Sequence, residues 1–303
     1  MRRVWFTSRS IIFGACLSVL VSNATHAEPS AAQPNKVDPA RHPLSLASYN
    51  NQDPATMERT TVRTTESSDN HWEIDGPVFL RSADPEPPGE VVFKNNFEWE
   101  HNRSGGGDDR DEYEYEPEIE WGVVENHELI FEVPFKIGEG EVDGNGDLTV
   151  GWHWRLWDEE GSRPAFAIRN FVRIPTGVNS NGVDYELRGL FTKTLVPGST
   201  RLHLNPFAKT VNGDNEPENR PFHWGTAIGV DHKLSNNLLL ITDYIYSNGE
   251  EENTRDNHEA EVGLDWHLDE RQTLGFAVMA GLDGDDNGPA AGARFMYMIS
   301  FGR

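Results

Sequence analysis

Five carboxylates occupy alternate positions in the stretch DEYEYEPEIEW, Asp111 to Trp121: Glu112, Glu114, Glu116, Glu118 and Glu120. Tyr113, Tyr115, Ile119 and Trp121 take the other parity, with Pro117 among them. Successive side chains of a strand point to opposite faces, so the stretch predicts a strand with one acidic and one aromatic face. Carboxylates aligned on a water-filled surface raise the local concentration of cations. The same parity rule adds Glu98, Glu100, Glu132, Asp231, Asp243, Glu259, Glu261 and Asp265 to the polar set. It also adds the basic residues Lys94, Lys136, Arg155, Arg169, Arg173, Arg188 and Lys209. Two readings of this set stand side by side. In one it lines a polarised pore with a cation preference; in the other it is an interior of paired charges with no open path. The excess of acids favours the pore.

Other chemistry finds little support. His153, His203, His223 and His267 fall on the polar parity, yet none has a zinc spacing such as H-E-x-x-H, and NHEAE at 257–261 lacks the second histidine. A hydrolase would need a Ser–His pair assembled in space. DGNGD at 143–147 resembles the start of a calcium loop, but Leu148 stands where the turn glycine belongs and Trp154 where the bidentate glutamate belongs. DGDDNG at 283–288 reaches Arg294 at the twelfth position. No glycine-rich phosphate loop joins a strand to a helix. No catalytic residue, metal or cofactor is therefore expected, and the chain does not read as an enzyme.

The acidic polar set belongs to an acidic chain, with 26 Lys+Arg against 50 Asp+Glu in 303 residues. That balance argues against nucleic acid, whose phosphates require a basic footprint. The N-terminus, MRRVWFTSR followed by SIIFGACLSVLV and THA, reads as a secretory signal peptide over residues 1–27. Its removal takes Arg2, Arg3 and Arg9 and no acid, so the formal charge goes from -24 to -27. It also takes Cys16, the single cysteine, which leaves an exported chain without a disulfide. Residues 28–88 are rich in Pro, Ala, Ser, Thr and Asn, and read as an extended or disordered periplasmic segment, with threading into the lumen as a plug the alternative that its length and polarity allow. GPVFLRSADPEPPGE, 76–90, leads into the first strand.

From there on, twelve segments alternate with period two, near 90–101, 111–124, 128–138, 147–157, 164–175, 183–196, 200–211, 220–234, 238–248, 257–268, 273–282 and 289–302. Their connections are sorted. ENH, DEEGSR, PGS, SNN and DERQ are short, whereas RSGGGDDR, GEGEVDGNG, TGVNSNG, NGDNEPENR and NGEEENTRD are mostly longer and polar. Such sorting is expected of an outer-membrane barrel, with short periplasmic turns, longer outer loops and an even strand number. The apolar parities, such as Phe295/Tyr297/Ile299/Phe301 and Val262/Leu264/Trp266/Leu268, then face lipid. A backbone in lipid must satisfy all its amides internally, and a closed barrel does so. The expected fold is all-β, a transmembrane antiparallel β-barrel of about 12 strands over 89–303, located in the bacterial cell outer membrane.

Several stretches resemble the outer-membrane barrel family named for the meta-pathway of phenol degradation, often described as transporter-like. They are PEIEWGVVENHELIFEVPF (117–135), GDLTVGWHWRLWDEEG (146–161), IPTG (174–177) and the lead-in at 76–90. The resemblance covers roughly 76–303. It implies an outer-membrane barrel passing small, aromatic or hydrophobic compounds, and it carries over no catalytic residues. Expected partners are outer-membrane lipid and lipopolysaccharide, the barrel-assembly machinery and a small-molecule solute. A non-conducting structural or surface-interaction barrel and an outer-membrane hydrolase remain as alternatives.

Overall fold

The computed structural model describes residues 76–102, 110–138, 144–178, 180–212, 220–249, 256–282 and 289–302. The expected signal peptide, residues 28–75 and most of the long acidic loops, DGDDNG among them, lie outside the described residues. All the described residues belong to one unit, 64–303.

Period-two alternation becomes strands in every expected place. They are β1 (Val91–Asn102), β2 (Arg110–Val124), β3 (His127–Glu132), β4 (Phe135–Gly138), β5 (Gly144–Asn145), β6 (Leu148–Trp157), β7 (Ala165–Ile174) and β8 (Asp184–Val196). They continue as β9 (Thr200–Thr210), β10 (Phe222–Ser235), β11 (Leu238–Ser247), β12 (Asn257–His267), β13 (Gln272–Gly281) and β14 (Pro289–Phe301). Every pairing is antiparallel. β3 and β4 form one stave, because Glu118↔Glu132 and Tyr115↔Phe135 keep the same register on β2. The break between them falls at Val133 and Pro134, opposite Pro117, and neither proline has an N–H to give the ladder. β5 leads into β6 as the next stave. β1 pairs with both β2 and β14, which closes a ring of twelve staves.

Closure pairs the first stave with the last, and the two sides of the wall separate as the parity demands. Phe97, Ile119, Phe131, Ile228, Leu264, Phe276 and Phe295 are exposed on the outside. Trp99, Tyr113 and Trp224 stand near the loop end of this apolar band, and Trp121, Trp154, Trp157 and Trp266 near the turn end, also exposed. Two aromatic girdles around an apolar band are the surface of a barrel that spans a membrane.

Inside the wall runs a feature that the strand pattern does not announce. Residues 76–90 do not hang below the barrel as part of a periplasmic segment. They form a belt along the inner wall, running from β12 and β13 round to β2. Their backbone amides are satisfied by inward side chains of five strands. Phe79 N donates to Glu261 Oε2 at 2.7 Å and Leu80 N to Asp243 Oδ2 at 3.1 Å. Arg81 N donates to Asn205 Oδ1 at 2.7 Å, and Asn205 Nδ2 returns a bond to Arg81 O at 3.1 Å. Ala83 N donates to Thr192 Oγ1 and Glu86 N to Glu128 Oε2, both at 2.8 Å. A proline-punctuated segment cannot form a ladder, so lumen side chains take the place of a partner strand.

Apolar contacts add to these bonds. Val78 and Leu80 are fully buried against Ala227, Leu239, Ile241, Ile245 and Ala277. Burial of two such side chains contributes on the order of 3–6 kcal/mol. Glycines on the inner face make room for the belt. A Cβ on Gly122 would stand 2.1 Å from Pro87 O, and one on Gly263 would stand 2.7 Å from Val78 Cγ1. The belt leaves the lumen through Gly89, at φ +86°, whose N–H donates to Gly122 O at 2.7 Å. The shift from periplasmic tail to inner belt follows from this: the lumen supplies hydrogen-bond acceptors, an apolar patch and glycine clearance along one continuous track.

Candidate functional site

The interior of the barrel divides into two halves. In the half near the short turns the inward charges hold one another or the belt. Lys94 is only 1% exposed, and its Nζ lies 2.5 Å from Glu120 Oε2. Arg169 reaches across from β7 to contact Glu120 and lies 3.5 Å from both Glu118 and Glu128. His153 Nδ1 is 3.5 Å from Glu128. Arg201 Nη2 is 2.5 Å from Asp231 Oδ2, and Arg201 also lies 3.5 Å from Asp84 of the belt. Buried charges persist where they are paired, and in this half residues of seven strands and the belt pair with one another.

The half near the loops is hollow. One cavity of about 240 Å³ lies above the belt, lined by six carboxylates (Glu98, Glu116, Glu118, Glu132, Asp184, Glu186) and six basic side chains (Arg81, Arg169, Arg173, Arg188, Lys209, Arg294). A second, of about 180 Å³, lies nearer the loops and is acidic, with Glu98, Glu100, Glu112 and Glu114 against Lys136 and Arg294. Glu98 and Arg294 line both cavities. Arg294 Nε donates to Glu98 Oε1 at 2.6 Å, and its Nη1 contacts Glu261, so one guanidinium ties the acidic rim to the belt's anchor. Among the described residues Glu116 and Glu132 make no ion pair.

The residues expected to line the lumen therefore separate. Glu98, Glu112, Glu114, Glu116, Glu118, Glu132, Arg169 and Arg173 line the cavities. Glu120, expected there too, lies instead in the buried Lys94–Arg169 cluster. Asp243 and Glu261 are covered by the belt amides they bind. Asp265 is buried beneath Gly76, whose added Cβ would meet its carboxylate at 2.6 Å. Arg155 donates to Asp84 of the belt at 2.9 Å and to Asn126 at 3.0 Å. Glu259 accepts from Asn257 Nδ2 at 2.5 Å and lines neither cavity. For all but Glu259, whose partner stands two residues along its own strand, the covering group comes from another strand or from the belt, which the parity of one strand does not reveal.

Sequence reasoning missed Arg294, Arg81 and the belt acceptors Glu128, Thr192 and Asn205. Arg294 was accessible to it, since it alternates with Phe295 on β14. Arg81 was not, because nothing in 76–90 marks it as internal.

The remaining candidates take structural roles. Asp147, from the calcium-like run, accepts from Thr176 N at 3.1 Å, Gly177 N at 2.9 Å and Ser180 Oγ at 2.6 Å, and so pins the loop after β7. Among the described residues no group of three or more His, Cys, Asp or Glu is arranged to hold a metal. A Thr192–His203–Asp231 chain does form, with Thr192 Oγ1 3.0 Å from His203 Nδ1 and His203 Nε2 3.4 Å from Asp231 Oδ2. All three side chains are buried, and the hydroxyl already accepts the Ala83 amide. The chain secures the belt and presents no reachable nucleophile. His223 contacts the Arg220 carbonyl oxygen at 2.9 Å, and His267 contacts Thr273 Oγ1 at 2.9 Å.

No protein-family model matches the chain, and no curated protein matches its sequence. Solved structures do share its form. An outer membrane channel from Pseudomonas putida F1 superposes with a TM-score of 0.58 at 14% identity, over 72% of this chain and 98% of that one. The NanC porin gives a TM-score of 0.49 at 10% identity, over 69% and 98% of the two chains. The KdgM porin gives 0.46 at 12% identity, over 70% and 99%. The first of these likenesses concerns the fold, and with the closed ring and the lipid-facing band it gives one conclusion: the chain is a twelve-stranded β-barrel of the bacterial outer membrane.

Proposed function

We propose that the chain is a channel for passive passage of small solutes across the outer membrane, with an acidic vestibule at its loop end. The observation that carries this reading is the pair of cavities that share Glu98 and Arg294 and follow the acidic face of β2 from the loops down to the belt. Four carboxylates against two basic groups at the rim favour cations. The resemblance to the barrels named for the meta-pathway of phenol degradation supports small aromatic or hydrophobic compounds as its solutes. Outer-membrane lipid, lipopolysaccharide and the barrel-assembly machinery are its partners in this reading. The test is solute flux into liposomes that hold the refolded chain. Uptake of phenol-sized solutes above the protein-free rate, falling for sugars, is the expected result. A rate equal to that of empty liposomes, with the belt present or removed, would overturn it.

A second reading, a non-conducting structural barrel, draws on the belt itself, which fills the turn-end half. It predicts no flux from the complete chain at any solute size.

A further inference from the structure

The two cavities of the hollow half meet at Glu98 and Arg294, which stand opposite each other on β1 and β14. Arg294 is held from two sides. Its Nε and Nη2 each lie 2.6 Å from Glu98 Oε1, and its Nη1 contacts Glu261 Oε1 on β12. β13 separates β14 from β12, and the residue it places opposite Arg294 is Ala277, whose methyl group leaves the arginine room to cross. The guanidinium therefore ties β1, β14 and β12 together at one level, and a guanidinium held by carboxylates on both flanks keeps its charge in one place. The position is open as well as fixed. The side chains of Arg294 and Glu98 stay 21% and 25% exposed, against 1% for Lys94 in the packed half. Glu98 is also opposite Glu114 on β2, and like charges directly opposite repel, so the junction needs a cation. Lys136, the other basic group of the outer cavity, is held more loosely, 3.6 Å from Glu114 and 45% exposed.

We propose that Arg294 is the selectivity-determining residue of the route: its fixed positive charge at the neck between the cavities opposes the cation preference of the acidic vestibule and limits the cation current. This role rests on the channel reading and deepens it. An ion gathered by the carboxylates of the outer cavity passes this guanidinium to reach the inner one, because Arg294 lines both. A fixed charge in a narrow passage with low-dielectric walls acts on every ion that crosses. The vestibule thus draws cations in, and the neck sets how readily they go further.

The experiment measures the single-channel conductance and reversal potential of the refolded full chain in a planar bilayer under a potassium chloride gradient. Arg294→Gln should raise the conductance several-fold and move the reversal potential away from zero, toward the cation limit. Glu98→Gln should move it the opposite way, because the arginine then faces one carboxylate fewer. Arg294→Lys keeps the charge without the fork and should keep the reversal potential of the unaltered chain. A guanidinium that served only to hold the wall would give another pattern: breaking the Glu98–Arg294 tie from either side would have the same effect, with no opposed shifts. Gel mobility of heated and unheated samples shows which variants are folded. Should Arg294→Gln alone fail to fold, the double variant Glu98→Gln/Arg294→Gln removes the arginine without stranding Glu98, and its reversal potential should lie further from zero than that of Glu98→Gln. A reversal potential that does not follow the charge at position 294 overturns the assignment and leaves the channel standing. No steps from any of these proteins would remove the channel and the assignment together.

Discussion

The two halves of the lumen present the same inward parity to the sequence reader and do opposite things. Near the turns, Glu120, Asp243, Glu261 and Asp231 are buried, and each is held by a cation or a backbone amide. Near the loops, Glu112, Glu114 and Glu116 follow the same alternation on the same strand as Glu120, and they face open cavities. The belt makes the difference. Where it runs, charge is consumed in holding protein to protein; where it stops, charge is left for a solute. Inward parity therefore reports which side of the wall a side chain is on, and the filling of the lumen decides what that side chain does.

Substitutions can break this contrast. Arg169→Met would strand Glu118, Glu120 and Glu128 in the packed half, and loss of one partner from a buried ion cluster costs roughly 3–5 kcal/mol. Denaturant unfolding of the refolded barrel, followed by gel mobility, should show that loss, while Glu116→Gln in the hollow half should leave the midpoint nearly unchanged. Equal midpoints for the two variants would dissolve the distinction. Leu80→Ala removes a buried anchor of the belt and should weaken its docking by about 2–5 kcal/mol without unfolding the wall. Limited proteolysis should then cut within 76–90 in the variant faster than in the unaltered chain.

Smaller effects sharpen it further. Glu112→Gln with Glu114→Gln lowers the acid excess at the rim, so the reversal potential in a salt gradient should move toward zero, and the effect should fade at high salt. An unchanged potential would place selectivity elsewhere. At the far end, Asp269 in the turn between β12 and β13 accepts the amides of Arg271 at 2.8 Å and Gln272 at 2.9 Å. The Arg271 amide, with help from the Gln272 side chain and amide, holds its carboxyl below the usual range. The carboxylate's contribution is therefore complete above the ordinary aspartate range and is lost as pH falls through the lowered value. Asp269→Asn should lower the unfolding temperature slightly at neutral pH and not at strongly acidic pH. A difference that grows on acidification would have the wrong sign.

How far the sequence carries is visible in particular residues. Tyr113, Ile119 and Trp121 alternating with glutamates lead to the strand, its faces and the barrel, because the lipid–water contrast imposes period two on every stave. Sorted loop lengths lead to the ring of twelve. The belt is silent for a physical reason. Its amides bond to side chains 182, 163, 124, 109 and 42 residues away, and no local period records such contacts. The traces it leaves are indirect: inward glycines at 122 and 263, and the carboxylate of Asp243 in the middle of the largely apolar β11. Glu120 and Glu116 could not be told apart, because what separates them is a lysine on β1 and an arginine on β7.

The central claim is that the belt closes the turn-end half while the loop-end cavities form the route. Single-channel conductance in a planar bilayer tests it most directly, with the complete chain compared against one lacking residues 76–88. Small, cation-selective steps from the complete chain and steps on the order of ten-fold larger without the belt are the expected result. Steps of equal size from the two proteins would contradict it.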